Sequence, residues 1–224
     1  MLKLNRQVVG LEVNGIMRIV KEADIRKSEI LDTAERLFVG QGYENTSTTD
    51  ILNAIGIARG TLYYHFKSKE DILSAVIDRQ IAIMAEKAKS VAQNKEIPTL
   101  QRIFLAVSAI KVDSKLGEEL TNQIHNPKNA LMHQMTQEAL LLNVNPIISG
   151  ILKEAISEGL CSTDYPDEVI ETIMVYASYA FDDLVDISES ERQKKIDALI
   201  YNIERLLSIK KGSMREMILS LFDQ

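Results

Sequence analysis

Gly56-Ile57-Ala58-Arg59-Gly60-Thr61-Leu62-Tyr63-Tyr64-His65-Phe66-Lys67-Ser68-Lys69 is the stretch on which the reading of this chain turns. It carries Arg59, Lys67, Lys69 and the titratable His65, and it contains no acid. Leu62 and Phe66, four residues apart, share one face of a helical turn. A short helix of this kind buries those two and turns Arg59, Thr61, Tyr63, Tyr64 and His65 outward. Guanidinium, hydroxyl and imidazole groups on one surface suit phosphate oxygens and base edges. The same composition also describes an ordinary surface helix with two half-buried tyrosines, so the flanking residues decide.

On the N-terminal side, residues 25–39 repeat with helical spacing. Ile30, Ala34, Leu37 and Phe38 form an apolar stripe, with Arg26, Lys27, Glu29, Asp32, Glu35 and Arg36 mostly outside it. Gly40 and Gly42 are stop signals. Ser47-Thr48-Thr49-Asp50 reads as a capping box closed by a carboxylate one methylene shorter than the usual Glu. A short helix follows to about Ile55, with Ile51 and Ile55 inward. Gly56 makes the turn, the basic helix starts near Ala58, and a longer helix runs from Lys69 to about Gln93. Two short helices joined by a tight glycine turn and braced by longer helices make a helix-turn-helix, whose second helix enters the DNA major groove.

These residues also carry a family resemblance. Gly42-Tyr43, Thr46-Ser47-Thr48, Ile51, Gly56-Ile57, Gly60-Thr61-Leu62-Tyr63-Tyr64-His65-Phe66 and Lys69-Glu70 closely resemble the N-terminal domain of TetR/AcrR-type transcriptional regulators over about residues 25–75. Ala58 departs from the pattern, standing where the family commonly has Ser, so the helix lacks a capping hydroxyl. Leu52 and Ile55 are bulkier than the alanines often found there. The resemblance implies a homodimeric, all-helical repressor with a ligand-binding C-terminal domain. It supports Tyr63, His65 and Lys69 as phosphate contacts, with Ser47 and Thr48 offering a hydroxyl and N–H groups at a helix start. Arg59, Gly60, Thr61 and Tyr64 are expected to meet bases, with Thr49 a further candidate. Lys67 reads equally as a phosphate contact or a solvated charge.

A formal charge of −6 is no objection to DNA binding once it is divided along the chain. Residues 1–80 hold eleven lysines and arginines against eleven acids, whereas residues 81–224 hold fifteen against twenty-one. DNA needs a local positive face, not a basic chain. The lone Cys161 leaves no internal disulfide and reads as an inert thiol. No unbroken apolar run approaches the ~20 residues that span a bilayer, so no membrane partner is expected and the protein is read as cytoplasmic. Residues 1–24 read as a flexible extension, with Met17 an alternative start and Lys3 and Arg6 a candidate groove-seeking arm.

The remainder, residues 76–224, reads as helices from about Thr99, Leu131, Ile147, Asp167, Glu191 and Met214, with Pro127, Pro146 and Pro166 as punctuation. No stretch reads as a strand, so the fold class is all-α: an N-terminal helix-turn-helix DNA-binding domain followed by a helical ligand-binding and dimerisation domain. Two late helices, about 168–185 and 191–209, carry an apolar seam that includes Ile173, Ala177, Phe181, Leu184, Ile196, Ile200, Ile203 and Leu207. Periodicity fits an intramolecular core and a self-pairing four-helix face equally well. The resemblance favours the second, because relatives pair through their last two long helices. It also places an effector pocket in the C-terminal helices, with Phe104, Met132, His133, Met135 and Ile148 as candidates. His125 and His133 lack partners at ligand spacing, so neither a metal nor another cofactor is expected.

The chain therefore reads as a non-enzymatic regulator, most simply a repressor released from a pseudo-palindromic duplex by a small molecule. An effector-independent or activating regulator of the same fold fits the residues as well. A small helical enzyme using His133 or His125 lacks any supporting motif.

Overall fold

A computed structural model describes the backbone of residues 5–110, 130–181 and 188–222, with side chains from residue 22 onward in those ranges. The arm residues Lys3 and Arg6, together with Met17, His125 and Leu184, lie outside the described side chains. The described residues form ten helices and no strand. The chain divides into two compact units, residues 1–76 and 77–224.

In the first unit, α1 spans Asn5–Gln41, α2 Thr48–Ile55 and α3 Arg59–His65, and α4 (Lys69–Gln93) begins here and continues past the boundary. Helix α1 starts some twenty residues before Ile25, so the backbone from Asn5 to Asp24 is helical where the sequence suggests a flexible extension. Gly10 and Gly15 lie inside it; each costs about 1 kcal/mol against alanine, which a long helix without proline tolerates. Ile30, Ala34, Phe38, Ile51, Leu62, Phe66, Ile72, Leu73 and Val76 are buried and form the apolar interior. Glu35, expected on the solvent side, is only 3% exposed. It sits four residues from each of the buried Leu31 and Val39, so α1 is covered across a face wider than a single stripe.

In the second unit, α5 spans Thr99–Ala109, and the helices after it are α6 (Ala130–Asn143), α7 (Asn145–Ser157), α8 (Pro166–Ala180), α9 (Glu189–Leu206) and α10 (Arg215–Leu219). Helix α7 packs on α5, α6 and α8; α9 packs on α8 and α10, and α10 on α5. Helices α6 and α7 follow one another almost without a break, and together they are long and apolar enough to satisfy the length and composition of a bilayer span. Their inward residues Met132, Val144, Ile148, Ile151, Leu152 and Ala155 are buried against neighbouring helices, the pattern of core helices. Ser188 and Glu191 close a second capping box at the start of α9, a Ser-x-x-Glu signal not drawn from the sequence.

Two polar devices organise this unit. Arg102, 2% exposed, donates from Nε to the Ile97 carbonyl (3.1 Å), from Nη1 to the Ala92 carbonyl (3.0 Å), and from Nη2 to Thr99 Oγ1 (2.9 Å). Its two terminal nitrogens also grip the Glu154 carboxylate at 3.0 and 2.7 Å. Arg102 first and Lys95 second draw the Glu154 pKa down to about 2. This bidentate clasp ties the α4–α5 connection to α7. Glu204, buried on α9, accepts hydrogen bonds from the Gly212 and Met214 N–H groups at 2.8 and 3.0 Å and so turns the C-terminal segment back onto the helices.

Candidate nucleic-acid interface and apolar cavity

The basic helix is set in place from both ends. At the start of α2 the Ser47 hydroxyl accepts from Asp50 N–H (3.1 Å), while the Asp50 carboxylate accepts from the Ser47 N–H (2.8 Å) and hydroxyl (2.6 Å). This reciprocal cap holds Asp50 below the ordinary carboxylate range. It also occupies both donors of Ser47. The helix-start groups left for a phosphate are those of Thr48 and Thr49. Gly56 then reverses the chain at φ 77°, a left-handed conformation that glycine adopts at little cost. Ser47→Ala removes the cap and is expected to lower the melting temperature by roughly 2–4 °C, one lost cap being worth about 1 kcal/mol. An unchanged thermal scan would count against the box as a stabilising element.

Helix α3 starts at Ala58 without any side-chain cap. Leu62 and Phe66 are buried as the spacing requires. Arg59 and Gly60 are exposed, Tyr63 and Tyr64 are 39% and 79% exposed, and Thr61 and His65 are half-buried. The Arg59 guanidinium lies 5.4 Å from the centre of the Tyr63 ring. Hydrogen bonding from Thr48 first and Arg59 second lowers the Tyr63 pKa, tying α3 to the first turn of α2. The Tyr64 and His65 rings meet edge-on at 5.0 Å. A Cβ placed on Gly60 would meet nothing within 4 Å, and its φ is not positive. Neither backbone strain nor internal packing calls for glycine there, although it weakens the helix by about 1 kcal/mol. Its bare backbone leaves room for another molecule to approach closely.

Lys69 is less available than its position suggests. Its ammonium donates to the Tyr43 carbonyl at 2.9 Å and lies 4.0 Å from that residue's ring centre. Tyr43 is itself 2% exposed, and burial first and Glu70 second raise its pKa. The lysine thus braces the α1–α2 connection against the start of α4, a role invisible in spacing because the two residues lie 26 apart. Lys67 is exposed, and its backbone N–H is taken by the Asp71 carboxylate at 3.0 Å.

In the second unit, α5, α6, α7, α8, α9 and the C-terminal segment line a partly open cavity of about 520 Å³. Phe104 and Ile148, two of the pocket candidates, line it, whereas Met132, His133 and Met135 do not. Met132 is fully buried among the helices instead. Ile173, Ala177, Phe181, Ile203 and Leu207, expected at a pairing face, also line this cavity, and Ile196 and Ile200 are buried within the chain. The apolar seam of α8 and α9 is therefore intramolecular. Their outward face is a different set, Val175, Tyr176 and Tyr179 on α8 and Tyr201 and Leu206 on α9, all at least 37% exposed. Burial pushes the Cys161 thiol pKa up, which keeps it protonated and unreactive. Among the described residues no cluster of side chains suits a metal ion.

Comparison with known proteins converges on the first unit. Residues 30–76 match the model of "Bacterial regulatory proteins, tetR family". The HTH-type transcriptional regulator AcrR of Shigella flexneri is 45% identical over 56 residues, 25% of this chain and 26% of that protein. The chain's match thus spans about a quarter of that relative's length. The fatty acid metabolism regulator protein of Bacillus subtilis is 28% identical over 147 residues, covering 62% of this chain and 73% of the relative. Among solved structures, RolR in complex with resorcinol superposes with a TM-score of 0.62 at 14% identity, covering 89% of this chain and 95% of that one. A matching domain model and regulator-named relatives agree: residues 30–76 carry the helix-turn-helix domain of the tetR family of bacterial regulatory proteins.

Proposed function

We propose that the protein is a homodimeric, cytoplasmic transcriptional repressor that binds a pseudo-palindromic DNA operator through α3 and is released by a small molecule bound in the C-terminal cavity. The observation that carries this reading is the outer face of α3. Arg59, Gly60, Thr61 and Tyr64 stand clear of any acid within the helix, on an element held by a capped α2 and a glycine turn. Arg59, Thr61 and Tyr64 take the base edges, Gly60 admits the sugar-phosphate backbone, and Tyr63, His65, Thr48 and Thr49 take phosphates. Lys67 and Lys69 add local positive charge, with Ser47 acting through the cap. The resorcinol complex of RolR supports the cavity as an effector site. An effector acts by binding one state of the dimer better than the other.

Selection from random duplexes with the purified protein tests the reading. An enriched inverted repeat is the expected result; no enrichment at low salt would overturn it. Pairing is assigned to the exposed aromatic face of α8 and α9. Tyr179, 75% exposed, has no internal packing to lose. Tyr179→Glu is expected to leave the chain folded, shift it to monomer in sedimentation, and weaken operator binding about a hundredfold, since a monomer engages one half-site. A variant that sediments as a dimer would move the interface elsewhere.

A further inference from the structure

The chemistry of the cavity wall narrows what it takes. Among the described residues its lining is aliphatic, aromatic or thioether except for the Gln137 amide and the Ser178 hydroxyl, and Ser178 already donates to the Val175 carbonyl at 3.0 Å. No described lining residue is charged. Three charges on the surrounding helices are matched elsewhere. Glu204 is occupied by two backbone N–H groups, Arg102 by Glu154, and Arg215 by Asp197 at 2.9 Å. None of these three is free to neutralise a charge brought in by a ligand, and an unpaired ion in such surroundings is strongly disfavoured.

One wall is supplied by the C-terminal segment. Met214, Met217, Ile218, Leu221 and Phe222 face the cavity, and the Phe222 ring lies 4.7 Å from that of Phe181, which caps the C-terminus of α8. Thioethers and an aromatic edge adapt to varied apolar shapes. At about 30 Å³ per water-sized unit, the volume corresponds to roughly 15–20 non-hydrogen atoms.

We infer that this cavity takes an uncharged, predominantly apolar molecule of that size, held against the wall formed by the segment Met214–Phe222. The inference rests on reading the cavity as the effector site and adds the ligand's charge class and the wall that holds it.

The probe is the uncharged dye N-phenyl-1-naphthylamine, compared with its sulfonated counterpart 8-anilinonaphthalene-1-sulfonate on the full-length protein. The neutral dye is expected to gain fluorescence at one site per chain, with the sulfonate at least about tenfold weaker. n-Decanol should displace the neutral dye, while decanoate and decylammonium should not. Ala177→Trp and Val107→Trp each fill the cavity from a different helix and should abolish binding, with a thermal melt verifying that each folds. Met217→Ala combined with Leu221→Ala should weaken binding about tenfold by opening the wall. Equal binding of both dyes, or neutral-dye binding that survives both tryptophan variants, overturns the inference. Neutral-selective binding in the cavity that leaves operator binding unchanged supports the ligand class and counts against the effector reading.

Discussion

Arg59→Ala is expected to weaken operator binding by about a hundredfold or more while leaving the fold intact. A guanidinium held bidentate on a guanine is worth about 1–3 kcal/mol, and a dimer on an inverted repeat loses that contact twice. The side chain is exposed, and its ring contact with Tyr63 is worth only about 0.5–1 kcal/mol, so little stability goes with it. Titrations on the selected operator and on a scrambled duplex, each across a salt series, separate the possible roles. Loss confined to the operator identifies a base contact. Equal loss on both duplexes, with a salt slope shallower by about one per half-site, identifies a phosphate contact. No loss on either duplex would remove α3 from the interface.

The largest stability effect is expected from Arg102→Met. All five guanidinium donors are used inside the C-terminal unit, and one substitution takes the bidentate partner from Glu154 and the donors from the carbonyls of Ala92 and Ile97. The Glu154 side chain is 29% exposed and keeps Lys95, so the loss falls mainly on the carbonyls left without a donor and on the packing of the buried side chain. Thermal melts should show the transition falling by roughly 6–12 °C. A shift under 2 °C would mean the clasp is redundant with the apolar packing. Acid gives an independent reading. Because the folded state holds Glu154 near 2, below its unfolded value of about 4.3, its contribution is present above about pH 4.3 and is lost as pH falls towards 2. The wild type should lose stability through that window, and the Arg102→Met variant should lose markedly less.

Local chemistry explains why the first unit was so legible. Ser47 and Asp50 sit three apart, Gly56 must take a positive φ, and Leu62 and Phe66 lie on one turn; each of these signals acts within a few residues. What spacing could not reveal were contacts between residues far apart in the chain. Lys69 looks like a free cation, yet it is bound to the carbonyl and ring of Tyr43. Ser47 looks like an anion-binding hydroxyl, yet its proton points to Asp50.

The second unit shows the limit more sharply. Ile173, Ala177, Ile203 and Leu207 repeat at the spacing of a packed seam, and the same spacing serves a core, a cavity wall or a dimer face. The structure turns them inward and leaves Val175, Tyr176, Tyr179, Tyr201 and Leu206 outside, a set with no stronger periodic signature than its rival. The sequence by itself determined the all-α class, the capped helix-turn-helix and the identity of its exposed face, because capping, glycine turns and helical periodicity are short-range constraints. Only the tertiary structure decided which side of α8 and α9 faces inward, that Arg102 reaches Glu154 52 residues away, and that the C-terminal segment walls an apolar cavity. Those outcomes depend on how whole helices share buried surface, a balance summed over many weak contacts that no local pattern records.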